Sequence, residues 1–475
     1  MTDEASAGHQ PGSEPGPNAR GGNRRAVLLT VLVYALVVVV AVLQQTAGSV
    51  ATRPGPGPAP DAVSPPRPQF ELVASIGTRM SLATNDRQLC SMVVSSLDGE
   101  ARAPTDQLRL AMVAGELLGE PESLKRLNVV GAQPGLPADL VRDMETVRAI
   151  YAGTPEPQRV RELIGRHHWF GRLAATHGLS DTDPVRRSAA GSGWTIVGGL
   201  MVAIGVFGVA VVLLIIAVVR AAIGAMPRRY QSAARGESVG AETALVFIAG
   251  FIILKVATEL IGRIWGAETA VTFTLAAQWS LIATLFWPVV RGVRAREALR
   301  LWGIQRAGVL REVGYGVLAY LTVLPLFVGG AVVSAVLLQA YEKVRTSMGG
   351  AEHGLPRNPV IDLFSGTGHV WMIVALGLLA SLWAPLVEES IFRGALYRQL
   401  RTWWHWLPAG LATALAFGFM HGYAILLLGP VIGLGFGFAL VREWRGSLIP
   451  SMTAHCIHNA VTITAVLLVS QLIGP

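Results

Sequence analysis

Glu388-Glu389-Ser390-Ile391-Phe392-Arg393 runs directly out of the apolar stretch 368–387, GHVWMIVALGLLASLWAPLV. Apart from what His369 can carry, that stretch is uncharged and long enough for a helix to cross a bilayer core. Two adjacent carboxylates and an arginine at or near membrane depth are costly, and such charges mark function by default. Glu389 and Arg393 are four residues apart, so on a helix they share a face, with the acid N-terminal to the base. That pairing holds Glu389 ionised and leaves Glu388 directed elsewhere. Pro385, just before Glu388, predicts a kink that opens space for water.

The rest of the chain agrees with a membrane reading. Of 475 residues, 52% are hydrophobic and only 15% charged, which excludes an ordinary soluble globule. Apolar segments recur near 194–221, 243–262, 268–289, 313–340, 368–387, 407–422, 423–441 and 447–471. With residues 26–45 as an uncleaved anchor, the expected fold is an all-α, polytopic helical membrane protein with about nine transmembrane helices. The net charge of +8 raises the question of nucleic acid, but the arginines lie between apolar runs rather than in one patch. They serve as topology signals, and no nucleic-acid partner is expected. Placing the N-terminus in the cytoplasm puts Arg228–Arg235, Arg291–Arg311, Arg393–Arg401 and Arg442–Arg445 in cytoplasmic loops. A multi-pass protein of the cell membrane follows, its first partner the lipid bilayer. Cys90 and Cys456 are too few and too differently placed for a disulfide framework or a zinc cluster.

Five regions are expected. Residues 1–25 form a disordered cytoplasmic tail and 26–45 the anchor. Residues 46–192 begin with the Pro-rich linker Thr52–Pro68 and continue as a small, mostly helical extramembrane domain. There Gln107–Leu118 and Pro137–Tyr151 have helical spacing, and Pro137 suits a first turn. His167-His168-Trp169 lacks partner ligands at a recognisable spacing and reads as ordinary surface or core. Residues 193–312 hold transmembrane helices and basic loops, and 313–475 the functional core. Lys255 and Glu259, one turn apart, read as a local pair near a helix end.

Two more polar pairs repeat the four-residue spacing: Phe417 with His421, and His455 with Asn459. The turn Trp403-Trp404-His405-Trp406, followed by Pro408, has the look of an interfacial bend. Glu388 lies 17 residues before His405 and His421 lies 16 after it. In an antiparallel hairpin both sit roughly 25 Å from the bend, at one depth. His455 follows the Arg442–Arg445 loop and enters from the same side. Gly410, Ala414 and Gly418, then Gly429, Gly433 and Gly437, have the small-residue spacing that lets membrane helices approach closely. A carboxylate beside an imidazole can activate water, and a histidine with an asparagine amide can stabilise an oxyanion. The competing readings are interhelical hydrogen bonding in a non-catalytic scaffold, or an ion path in a transporter. No repeat between the halves supports the transporter.

These three motifs in order resemble the CPBP intramembrane proteases, also called Abi, which include the prenyl-protein CAAX endopeptidases. The family pattern E-E-x-x-x-R, F-x-x-x-H, H-x-x-x-N reads here as Glu388-Glu389…Arg393, Phe417…His421 and His455…Asn459. The stretch Leu299–Leu324, with Trp302-Gly303 before an apolar helix, is also similar. The resemblance implies an all-helical core and a peptide or protein substrate. It also implies Glu388 as general base acting with His421 on water, His455 and Asn459 as oxyanion site, and Glu389 with Arg393 as supporting pair. Bacteriocin-immunity-type proteins that keep the fold without catalysis are the alternative it allows. It leaves the cofactor as none or zinc. If zinc, Glu388, His421 and His455 would be the ligands, although no H-E-x-x-H motif is present. His458, about 100° around the helix from Asn459, is incidental.

Overall fold

In the computed structural model the described residues are 17–51, 63, 68–231, 237–304, 308–348 and 370–473. The first 16 residues of the expected tail, nearly all of the linker Thr52–Pro68, and residues 368–369 lie outside them. No strand occurs among the described residues. Each of the nine apolar segments is a helix, numbered here α1 (Pro17–Ala51), α2 (Gly193–Ala222), α3 (Val239–Trp265), α4 (Ala267–Val290), α5 (Val309–Ser347), α6 (Val370–Leu400), α7 (Trp406–Phe419), α8 (Gly429–Arg445) and α9 (Ile449–Ile473). Among the described residues, seven helices are long and apolar enough to cross a membrane; α7 and α8 are shorter. The chain is thus a multi-pass helical membrane protein.

The chain divides into two compact units. The first comprises residues 1–46, 213–338 and 375–458. Its centre is α6, packed with residues of α1, α3, α4 and α7, and Val387, Ile391, Phe392, Phe417 and Met420 are buried there. The glycine stripe of α8 seats that helix on α5. A Cβ on Gly433 would come within 2.2 Å of the Leu326 carbonyl oxygen, and one on Gly437 within 2.2 Å of Val323. Only helices without side chains at these positions can lie so close. Across the other face of α8, Gly410 and Gly418 of α7 receive Phe436 and Ile432.

Ion pairs knit the basic loops of this unit together. Arg25 and Arg291 bind Glu242, Arg398 binds Glu237, Arg401 binds Glu443, and Arg445 binds Glu312. Arginines of three separate loops and of the α1 start are thus each held by a carboxylate, and Arg25 and Arg291 share Glu242. Glu259 also pairs with Arg263 at 3.1 Å, one turn on.

The second unit comprises 47–212, 339–374 and 459–475. Between Pro68 and Ala190 it is a cluster of short helices around buried Leu108, Met112, Leu127, Val147, Trp169 and Phe170. The predicted helices are present as Pro104–Leu118 and Ala138–Tyr151, with Pro137 at the cap rather than inside the first turn. Asp86 and Asp183 cap two of the others through backbone N–H groups. His167 is a core residue, its Nε2 3.0 Å from Asp143, as the bland reading of the histidine pair requires.

Candidate active site

The charged motif lies in the least regular part of α6. The helix widens to π geometry over Leu379–Trp383, returns to α over Ala384–Glu389, and widens again over Ser390–Leu396. Pro385 accounts for the first widening, since it has no N–H to donate to the turn before it. Such π turns occur frequently at functional sites because they re-aim side chains. Here the two flank Glu388 and Glu389.

The carboxylates separate as their spacing predicts. Glu389 is completely buried and accepts a hydrogen bond from Arg393 Nη1 at 2.9 Å. Arg393, also fully buried, donates its Nη2 to the Gly435 carbonyl at 2.8 Å and lies over the Phe417 ring at 4.3 Å. A Cβ on Gly435 would stand 3.0 Å from Nη2 and from the Phe417 ring, so the close approach of α8 there favours glycine. Gly435 stands outside the predicted stripe of Gly429, Gly433 and Gly437, and nothing in its spacing distinguishes it.

Glu388 has no comparable partner. Its Oε2 accepts no hydrogen bond among the described residues. It lines a cavity of about 50 Å³ with Phe392, Trp383, Met420, His421 and Gln278. A water needs roughly 10–15 Å³ measured this way, so the cavity has room for a few. The hairpin thus brings Glu388 and His421 to one cavity. Trp383, Met420 and Gln278 were not singled out in the sequence; as apolar residues and a lone amide in apolar helices they carry no local signal.

His421 sits differently from the expected helical face. The helix α7 ends at Phe419, and His421 lies in the turn beyond it. Its Nδ1 is 2.7 Å from the Phe417 carbonyl and its N–H donates to the Gly418 carbonyl. A carbonyl can only accept, so Nδ1 carries a proton, and in the neutral imidazole Nε2 keeps a lone pair. The F-x-x-x-H spacing here describes a helix end closed by its own histidine. Gly422 follows at φ +71°, the left-handed conformation that ends helices and favours glycine.

His455, buried on α9, stands between the two carboxylates. Its Nδ1 is 3.3 Å from Glu389 Oε1 and its Nε2 is 4.0 Å from Glu388 Oε2. Phe417 and Phe438 pack against its ring. Asn459 is half-buried one turn further along the same helix. His458 faces Tyr320 and Phe327 of α5. Glu388, His421 and His455 do not form a metal site as they stand: among the described residues, no three His, Cys, Asp or Glu side chains are grouped to hold an ion.

Residues 370–461 match a family model described as type II CAAX prenyl endopeptidase Rce1-like. The matched stretch carries all three motifs, from Glu388 to Asn459, and agrees with the resemblance drawn from them. No curated protein and no solved structure matches the chain.

Proposed function

We propose that this chain is an intramembrane endopeptidase that hydrolyses a peptide bond of a membrane-associated substrate at the Glu388–His421 cavity. The observation that carries the reading is the pairing of an unsatisfied carboxylate oxygen with a lone-pair imidazole around a space that fits water. A carboxylate oxygen left without a hydrogen bond among apolar helices is unfavourable unless something polar meets it.

In the proposed step, Glu388 takes a proton from a water that His421 Nε2 orients. The water oxygen bonds to the scissile carbonyl carbon, and the carbonyl oxygen becomes an oxyanion. His455, with Asn459 on the same helix, would stabilise that charge. The proton held by Glu388 then passes to the amide nitrogen as the C–N bond breaks, leaving an acid and an amine. Glu389 and Arg393 keep the second carboxylate ionised and out of this exchange, and they fix α6 to α8. The N-terminus and the basic loops face the cytoplasm in this reading, so the cavity would be reached from that side.

The test compares membrane peptides from cells carrying wild type and Glu388→Ala at equal protein levels. Peptides that end at new termini only with wild type identify the substrate. Identical profiles, together with cleavage by purified, reconstituted Glu388→Ala, would sink the assignment.

A further inference from the structure

We propose that Gln44 of α1 is a positioning residue for His421, so that the N-terminal helix is a working part of the active site rather than an anchor alone. The proposal rests on the protease reading above for its catalytic consequence.

A helix that only anchors a chain needs no preferred face, since lipid accepts apolar side chains all round. Yet α1 has one. Ala26, Thr30, Val33, Val37, Val40 and Gln44 recur at intervals of three and four and are all buried. This is the stripe of a helix packed along its length against protein. Val33, Val37 and Val40 belong to the same cluster as Val387, Phe417 and Met420. The stripe ends in an amide. Gln44 is 9% exposed, and its Nε2 donates to the Met420 carbonyl at 3.1 Å.

Met420 closes the C-terminal end of α7, where the last carbonyls lack partners within the helix. Four groups serve that end: the Met420 backbone N–H on Phe417, the His421 backbone N–H on Gly418, His421 Nδ1 on Phe417, and Gln44 on Met420. Among these, the last alone comes from another element. Beyond His421, a Cβ on Gly422 would stand 3.3 Å from Gln44 Cδ. The amide therefore lies beside both residues flanking the imidazole. Gln44 Oε1 has no hydrogen-bond partner among the described residues, so this one donated bond is what offsets burying the group. A histidine displaced by even about 1 Å from its working position can lose on the order of a hundredfold in rate.

The experiment uses the full chain in detergent or vesicles, with Gln44→Met, Gln44→Lys and Val40→Ala. Methionine keeps the length and packing but cannot donate; lysine restores a donor of similar reach; Val40→Ala loosens the same stripe without touching the turn. The first readout is carbethoxylation of His421 followed by mass spectrometry, with His405 as internal reference. Gln44→Met should raise the His421 rate severalfold, Gln44→Lys should bring it back toward wild type, and Val40→Ala should leave it unchanged. An unchanged rate in Gln44→Met, or an equal rise in Val40→Ala, would overturn the proposal. The second readout is turnover of a peptide found by the Glu388→Ala comparison, where Gln44→Met should lower kcat about ten- to a hundredfold with KM held. A loss confined to KM would also overturn it. Should wild type and Glu388→Ala prove identical, the protease reading falls by itself and the His421 reactivity still decides the role of Gln44.

Discussion

Asp143 and Glu389 are both fully buried carboxylates, and each is held by an arginine and a histidine. In the helical cluster of 68–190, Asp143 takes hydrogen bonds from Arg166 Nε at 2.9 Å and faces His167 Nε2 at 3.0 Å. In the α6 region, Glu389 takes Arg393 and stands near His455. Both are acid–arginine–histidine sets, and the Glu389 set adjoins the cavity that Glu388 lines. What separates them is Glu388, a second carboxylate one residue away whose free oxygen reaches that space. A buried acid–arginine–histidine set is thus a structural device by itself. It becomes a candidate catalyst when it leaves a neighbouring acid unsatisfied.

The sharpest way to break this contrast is to remove only the unsatisfied oxygen's charge. Glu388→Gln should lower proteolysis at least a thousandfold, the combined scale of lost base catalysis and water orientation, while the thermal transition of the detergent-solubilised protein stays put. Asp143→Asn should leave turnover unchanged. Loss of turnover in Asp143→Asn would show that the two clusters are functionally joined and erase the distinction.

Stability should rank the clusters in the opposite way. Arg393→Met strands Glu389 where no water reaches, and breaking a buried pair from one side costs about 3–5 kcal/mol. Yield and thermal midpoint should fall together. Asp143→Asn keeps an acceptor for Arg166, which is partly exposed, so its cost should be nearer the 1–3 kcal/mol of a spoiled buried hydrogen bond. Equal losses in the two variants, measured by thermal shift, would mean that exposure of the arginine does not matter.

Much of this was legible before any coordinates. Hydropathy locates nine apolar segments, and α1 through α9 fall on them, although among the described residues seven, not nine, are long enough to span lipid. The separation of Glu388 from Glu389 follows from the four-residue spacing to Arg393. The meeting of Glu388 with His421 follows from counting equal distances on either side of the Trp403–Trp406 bend. Other features depend on where chains cross rather than on local sequence. The π turns around Pro385 follow from a missing N–H, but their extent is set by packing on neighbouring helices. His421 looked like a face residue because a capping histidine and an i,i+4 helical pair have the same spacing. Gln44 was invisible, since its partner lies 376 residues away.

Metal dependence tests the contrast more gently. Because no three His, Cys, Asp or Glu side chains among the described residues are grouped to hold an ion, turnover should change less than about twofold when chelator-treated protein is assayed in metal-free buffer. A full loss restored by zinc would turn Glu388, His421 and His455 into ligands and recast the cavity as a metal centre.

The smallest effect concerns pH within the 68–190 cluster, where two acids respond in opposite senses. Burial pushes the Glu71 carboxyl up to about 7, although it accepts a hydrogen bond from the Trp169 N–H. For Asp143 burial alone would raise the carboxyl, but bonds from His167 and Arg166 outweigh it and hold the group below its usual 3.8. Burial likewise lowers His167 and keeps it neutral. The Glu71 contribution is therefore complete below about 4.5, where folded and unfolded forms are both protonated, and is lost as pH rises through 7. The His167 contribution is complete above about 6.5 and is lost as pH falls below that value; Asp143 follows lower still. Between roughly 4.5 and 6.5 Glu71 and His167 oppose each other, and local stability should be nearly flat. Glu71→Gln removes one arm while keeping an acceptor for Trp169. Hydrogen exchange at the core amides of this cluster, measured in the intact protein, should then show protection rising steadily from pH 4.5 to 6.5. A slope identical to wild type would mean that Glu71 is already ionised in the fold, balanced by the charges of Arg172 and Arg109.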